Sequence, residues 1–300
     1  MSQVDARRLA GPLPGGSDGA TVTLTPWSTG EMAAPPAYLH ARSGLGGRLK
    51  ALGFRVPKRQ WVWVPCPVFL LEHPLAGRVL IDTGLPAAAA HDPRAAFGRV
   101  SSTIVKFRAS ADQPLPARLR AAEIEPSSIA TVVLTHMHLD HTGSISELPN
   151  AKFIVSAAEW AAANERFNVL DGYVKRHFDH AFDYRLVDFE ARDVTSFASF
   201  GRSFDLFGDG SVTLVSTPGH TRGHMSVVVR LRDREALLCG DAAYTRRAID
   251  EGLLPARMHD EHNFRRSIRE IRAYVQMTPT ALVVPGHDAE AWERLDAEYR

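Results

Sequence analysis

The run His136-Met137-His138-Leu139-Asp140-His141 places four side chains able to bind a divalent metal within six residues. Neutral imidazole together with carboxylate suits zinc and other first-row divalent ions. His136 and His138 are two apart, so in an extended turn they point to one side and can share one ion. Asp140 and His141 come a step later and can face a second. A lone histidine at a strand end is ordinarily a hydrogen-bonded loop residue, but that account does not cover three histidines and an aspartate together. Three further candidates stand alone: His220 in Thr217-Pro218-Gly219-His220, Asp241 in Gly240-Asp241, and His287 in Pro285-Gly286-His287. Each is a weak signal by itself. Each also follows an apolar stretch, the setting of the first run, and stands directly after a glycine.

Elements must hold these groups. Thr131-Val132-Val133-Leu134 is short, apolar and β-branched, as a buried strand should be, and the metal run lies at its C-terminal end. Strand ends are rigid enough to fix ligands. Upstream, Thr21 to Leu24, Trp61 to Val64 and Val68 to Leu71 read as strands, the last two separated by a Pro-Cys-Pro break. Gly77 to Asp82 follows a turn at His73-Pro74 as the second arm of a hairpin, ending in Asp82-Thr83-Gly84. Residues 85–115 are expected as a long loop or short helices, and 116–124 as a helix. Phe153 to Val155 is a strand, and Ser156 with Glu159 forms a capping box for the next helix. Residues 165–205 look irregular, a connecting segment placed to cover the site. Strands are expected over Val212 to Val215, Met225 to Leu231, Ala236 to Cys239 and Ala281 to Val284, with a helix over 261–276. Two mixed sheets packed face to face with helices outside satisfy this α/β pattern. Residues 1–20, rich in Gly and Pro, are expected as a flexible arm, and 21–300 as a single domain.

The 300 residues are 45% apolar, enough for a sizeable core, and the formal charge is only +1. No basic excess points to nucleic acid or to an acidic membrane. Two cysteines make neither a disulfide framework nor a metal motif, which suits a reduced, cytoplasmic setting. No window is long and apolar enough to span a bilayer, and residues 1–20 lack the apolar core of a secretory signal. Trp61, Trp63, Phe69 and Phe107 are open to two readings, an acyl-chain groove or core and dimer packing; a homodimer is one expectation. His177 and His180 are expected at the surface. His224 is expected to support His220 or to pack at its strand start. Cys239, two before Asp241, is expected as a buried, inert thiol.

The run Thr135 to Gly143, with Thr217 to His220, Gly240-Asp241, Gly286-His287 and the early Asp82-Thr83-Gly84, resembles the metallo-β-lactamase superfamily. The resemblance spans roughly residues 60 to 290. It implies an αββα sandwich, with His136, His138 and His220 on one ion, Asp140, His141 and His287 on the other, and Asp241 bridging. Zinc β-lactamases of this fold usually carry Cys where Asp241 stands and are exported, so β-lactam hydrolysis is not expected. Closer is the group of N-acyl-homoserine lactonases. Cys66 to Gly84, Ser216 to Ser226, Gly286-His287-Asp288 and Tyr244, three residues after Asp241, are similar to its pattern.

That resemblance implies a small-molecule lactone substrate and two divalent ions, zinc foremost, sharing a hydroxide that attacks the lactone carbonyl. Asp140 would orient the nucleophile or pass a proton to the leaving alkoxide, and Tyr244 would donate to the carbonyl region. Two alternatives stay open. One is a thioester hydrolase of glyoxalase II type on the same scaffold, for which Arg294 and Arg300 are the available basic residues. The other is a metal-binding protein without catalysis.

Overall fold

Val68, Phe69, Leu70 and Leu71 alternate sides, yet all four are buried. A strand covered on both faces needs apolar residues at every position, which is why the sequence shows unbroken apolar runs. The computed structural model describes residues 4, 6–40, 46, 49–50, 53–104, 106–166, 168–180, 182–192 and 194–300. The first sheet contains β1 (Ala6–Arg8), β2 (Thr23–Ala34), β3 (Val62–His73), β4 (Gly77–Ile81), β5 (Lys106–Arg108), β6 (Ile129–Val133), β7 (Lys152–Ser156) and β8 (Asp183–Val187). Its order is β1-β8-β7-β6-β4-β3-β2-β5, parallel from β1 to β4 and antiparallel beyond. The second contains β9 (Thr195–Phe197), β10 (Phe200–Asp205), β11 (Val212–Ser216), β12 (Met225–Arg230), β13 (Glu235–Gly240) and β14 (Leu282–Pro285). Its strands run β14-β13-β12-β11-β10-β9, and only the β13–β14 pair is parallel.

Between the sheets, Leu71, Val79, Ile81, Val133 and Ile154 of the first meet Leu214, Val227, Val229 and Leu238 of the second. The opposite face of the first sheet, through Leu70, Leu80, Val132 and Phe153, packs on the helices Leu115–Ala121 and Ala157–Ala163. The outer face of the second sheet, through Val228, Leu237 and Cys239, packs on helix Glu261–Met277. That helix buries Phe264, Ile268, Ile271 and Tyr274, a helical stripe. The layers are therefore αββα, as expected. Among the described residues no helix is long and apolar enough to cross a membrane.

Three local expectations need correction. The Pro-Cys-Pro segment does not break a strand, because β3 is continuous. β4 pairs only from Phe69 onward, so Pro65 and Pro67 need no amide hydrogen on that side. On the β2 side the register shifts between Ser28 and Glu31, a bulge that tolerates the prolines. The stretch 1–20 is tied down where it is described. Ala6–Arg8 pairs with β8, Leu9 is buried, and Leu13 N donates to Leu206 O at 2.7 Å. Residues 1–3 and 5 of that arm lie outside the described residues. Segment 165–205 contains β8, β9 and β10; its polar and charged positions hid strands that are only partly buried. Residues 167, 181 and 193 of that segment lie outside the described residues. Residues 85–115 contain a helix over Pro93–Ile104, kinked at Gly98, and β5.

Candidate metal centre

All seven expected ligands converge where β6, β11, β13 and β14 end. Ligand atoms of His136, His138 and His220 lie within 4.8 Å of one another, as do those of His136, His141 and Asp241, and those of Asp140, His141 and His287. His138 Nδ1 and His220 Nε2 are 2.9 Å apart. Asp241 turns one oxygen to each side: Oδ2 is 3.2 Å from His220 Nε2, and Oδ1 is 3.3 Å from His287 Nε2 and 3.5 Å from His141 Nε2. Asp140 Oδ2 stands 3.6 Å from His287 Nε2 and 3.7 Å from His141 Nε2.

His136 Nε2, His141 Nε2 and Asp241 Oδ1 are buried without a hydrogen-bond partner. A buried polar atom left unpaired is costly and rare. Three such atoms facing one point, among only imidazole and carboxylate donors, fit a divalent cation.

The outer ring atoms are held. His141 Nδ1 lies 2.8 Å from Asp82 Oδ2, and Asp82 also accepts from Thr135 N and Oγ1, each at 2.8 Å. His287 Nδ1 lies 2.9 Å from Pro65 O, and His220 Nδ1 is 3.2 Å from the Tyr244 hydroxyl. A fixed outer nitrogen leaves the other nitrogen's lone pair facing the cluster. His224 serves Asp241 rather than His220: its Nε2 accepts from Asp241 N at 2.9 Å, and its Nδ1 meets Thr217 Oγ1.

Burial pushes His136 and His220 well below the ordinary imidazole range, His138 to about 4 and His224 to about 3. These rings are neutral, as ligands must be. Burial acts the same way on His141, but the Asp82 and Asp140 carboxylates outweigh it and raise its pKa; for His287, Asp241 does so. Burial disfavours the Asp241 charge, yet His287 beside it holds its pKa well below the usual value.

Beside the cluster opens a cavity of about 290 Å³, onto which His138, Asp140, His220 and Asp241 face. Met32, Trp61 and Leu139 contribute apolar wall. Ion pairs Arg222–Glu165 (2.6 Å) and Arg257–Asp171 (3.3 Å) join its lining, so the front of segment 165–205 does border the site. Of the four aromatics considered for a groove, only Trp61 lines the cavity. Phe69 and Phe107 are core residues, and Trp63 lies under Arg108.

Tyr244 is 1% exposed and stacks on Tyr38 at 5.8 Å; Tyr38 is the one of the pair that lines the cavity. Burial raises both phenols, Tyr38 to about 12. His177 is buried rather than superficial, with Nε2 2.8 Å from Ala96 O. His180 is half-buried against Phe182. Cys239 packs in the outer core, away from Asp241, because Gly240 (φ 52) interrupts the strand alternation between them.

Two site residues were not singled out from the sequence for what they do. Asp82 stands out in sequence only within the strand-ending Asp-Thr-Gly of the family resemblance, and its bond to His141 lies 59 residues away. Glu159 was read as half of a capping box, and Ser156 Oγ does accept from Glu159 N at 3.1 Å. The Glu159 carboxylate, however, does not return to the cap. A single acid within Ala157-Ala158-Glu159-Trp160-Ala161-Ala162-Ala163 was the available signal.

The superfamily's description, Metallo-beta-lactamase superfamily, matches residues 61–287. The chain belongs to the metallo-β-lactamase superfamily, the class that the layered sheets and clustered ligands already define. Among its relatives is N-acyl homoserine lactonase AttM of Agrobacterium fabrum, 34% identical over 232 residues, covering 76% of this chain and 84% of that protein. The probable metallo-hydrolase Rv2300c of Mycobacterium tuberculosis is 31% identical over 280 residues, covering 88% and 84%. The fold is similar to that of an N-acyl homoserine lactone hydrolase solved with N-hexanoyl-L-homoserine at its catalytic metal center. The TM-score is 0.74 at 22% identity, over 93% of this chain and 100% of that one.

Proposed function

We propose that this protein opens the ring of N-acyl-homoserine lactones, using two divalent ions, zinc foremost. His136, His138 and His220 would hold one ion, Asp140, His141 and His287 the other, with Asp241 shared. The observation that carries the metal part is the convergence of seven ligands with three buried atoms left unpaired. The lactone part is supported by the AttM relative and by Tyr244 beside His220. When bound, such ions lower the pKa of water towards neutrality and polarise an ester carbonyl.

The protein's own groups do the rest. Asp140 faces the cavity and is placed to pass a proton to the leaving alkoxide. With His220 Nδ1–H donating to the Tyr244 oxygen, the Tyr244 phenol is linked on to Tyr38, which lines the cavity, and through that pair would stabilise negative charge growing on the carbonyl oxygen. Met32, Trp61 and Leu139 offer the acyl chain an apolar wall. The thioester alternative has less to draw on, because Arg294 pairs with Glu290, Arg300 pairs with Glu298, and neither lines the cavity. The test is lactone opening by metal-depleted and zinc-restored protein, against ester and glutathione-thioester controls. Full activity without metal, or faster thioester turnover, would overturn the proposal.

A further inference from the structure

Glu159 is a carboxylate with no exposed surface, on the helix after β7, outside the set of expected ligands. Oε1 accepts from Met137 N at 2.9 Å and from the Tyr173 hydroxyl at 3.1 Å, and Oε2 accepts from Gly223 N at 3.1 Å. Each donor belongs to a segment that bears on the first ligand trio. Met137 separates His136 from His138. Gly223 closes the loop that carries His220. Tyr173 packs edge-on against the His138 ring at 5.0 Å and bridges to its backbone.

The seat beneath is tight. Ser156 Oγ donates to Gly223 O at 2.6 Å. A Cβ on Gly223 would fall 2.1 Å from the Glu159 backbone nitrogen, so only glycine lets the loop rest on this helix start. Among the described residues the second trio is held by other partners. His141 hangs on Asp82, and His287 on Pro65.

We infer that Glu159 is a positioning residue that sets the register between the His136/His138 loop and the His220 loop, and so controls affinity for one ion of the pair. This rests on the dinuclear reading above. The Met137 and Gly223 amides and the Tyr173 hydroxyl point at the carboxylate, with the Thr221 hydroxyl beside it, and the two amides need an acceptor. In Glu159→Gln one oxygen becomes an NH₂ group. If the remaining oxygen stays on Met137 and Tyr173, the amide confronts Gly223 N–H, donor against donor. If the amide flips, it confronts Met137 and Tyr173 instead. Either way one loop is released from the other.

The experiment is zinc competition against a chromophoric chelator on wild-type and Glu159→Gln protein, with circular dichroism confirming the fold. His220→Ala identifies which binding step belongs to the first trio. The expected result is a step about 10- to 100-fold weaker at that trio, as for loss of an outer partner of a metal ligand, with the other step within about twofold. Turnover falls in proportion to first-site occupancy and returns as free zinc is raised, while KM for the lactone stays near wild type. A folded variant with both steps unchanged, or with both weakened equally, overturns the inference. Should Glu159→Gln not fold, Ser156→Ala removes the Gly223 O link together with the helix cap on Glu159 N, and in a folded variant should weaken the same step by about threefold; no change there also overturns it. Wild-type protein that takes up fewer than two ions would instead remove the dinuclear reading on which the inference stands.

Discussion

Asp82→Asn tests whether the second trio depends on a carboxylate that touches no ion. Asp82 Oδ2 meets His141 Nδ1 and Thr135 Oγ1, and Oδ1 accepts from Thr135 N, all at 2.8 Å. An asparagine has two ways to sit there. With its oxygen kept on Thr135 N, its NH₂ faces His141 Nδ1, which must then accept. The proton moves to Nε2, the atom that should face the metal. With the amide flipped, NH₂ confronts Thr135 N–H, leaving a buried donor unpaired at about 1–3 kcal/mol. Neither arrangement keeps both a satisfied backbone and an inward lone pair. Loss of such a partner costs about 10- to 100-fold in metal affinity, or about 1.4–2.7 kcal/mol. Chelator competition should show the Asp140/His141/His287 step weakened by that factor and the other step nearly unmoved. A folded Asp82→Asn protein with both affinities within twofold of wild type would refute the claim that Asp82 fixes the His141 tautomer.

Tyr244→Phe should lower kcat for lactone opening by about 10²- to 10³-fold, the scale for losing one donor to a developing oxyanion, with zinc content unchanged by elemental analysis. Unchanged turnover would remove Tyr244 from the mechanism. Neither Cys66 nor Cys239 should react with a thiol reagent in the native protein, since burial raises both pKa values, Cys239 to about 12, and both should react after denaturation. Ile268→Ala should destabilise the protein by about 2–5 kcal/mol in denaturant unfolding, because Ile268 is 3% exposed between helix Glu261–Met277 and the second sheet.

The parts legible from sequence share one property: a short-range signal. β6 and the His136–His141 run sit together in the chain, and the Gly-His and Gly-Asp endings of β11, β13 and β14 each mark a strand end locally. The layer order followed from strands that are apolar on both faces. What escaped depended on partners far away. Pro65 and Pro67 looked like a break because the shortness of β4 and the bulge in β2 cannot be read from β3 itself. His177 looked superficial because its partners, Ala96 O and Thr142 Oγ1, lie 81 and 35 residues away. Glu159 satisfied a local rule well enough to hide that its carboxylate is spent on Met137 and Gly223, 22 and 64 residues off.

Those distant contacts explain why the ligands meet at all. The His136–His141 run belongs to the first sheet, whereas His220, Asp241 and His287 belong to the second, so the site's dimensions are set by how the sheets pack. Apolar contact between sheets is non-directional and would tolerate small slides. Directional bonds cross the seam where precision is needed: Met225 N to Thr135 O at 2.9 Å, Gly223 N to Glu159, and His287 Nδ1 to Pro65 O. The three unpaired atoms work against this alignment, at about 1–3 kcal/mol each. Divalent ions between the sheets would satisfy them and tie the two halves together. Zinc should therefore raise the unfolding temperature as well as support turnover, because a ligand that binds only the folded state stabilises it.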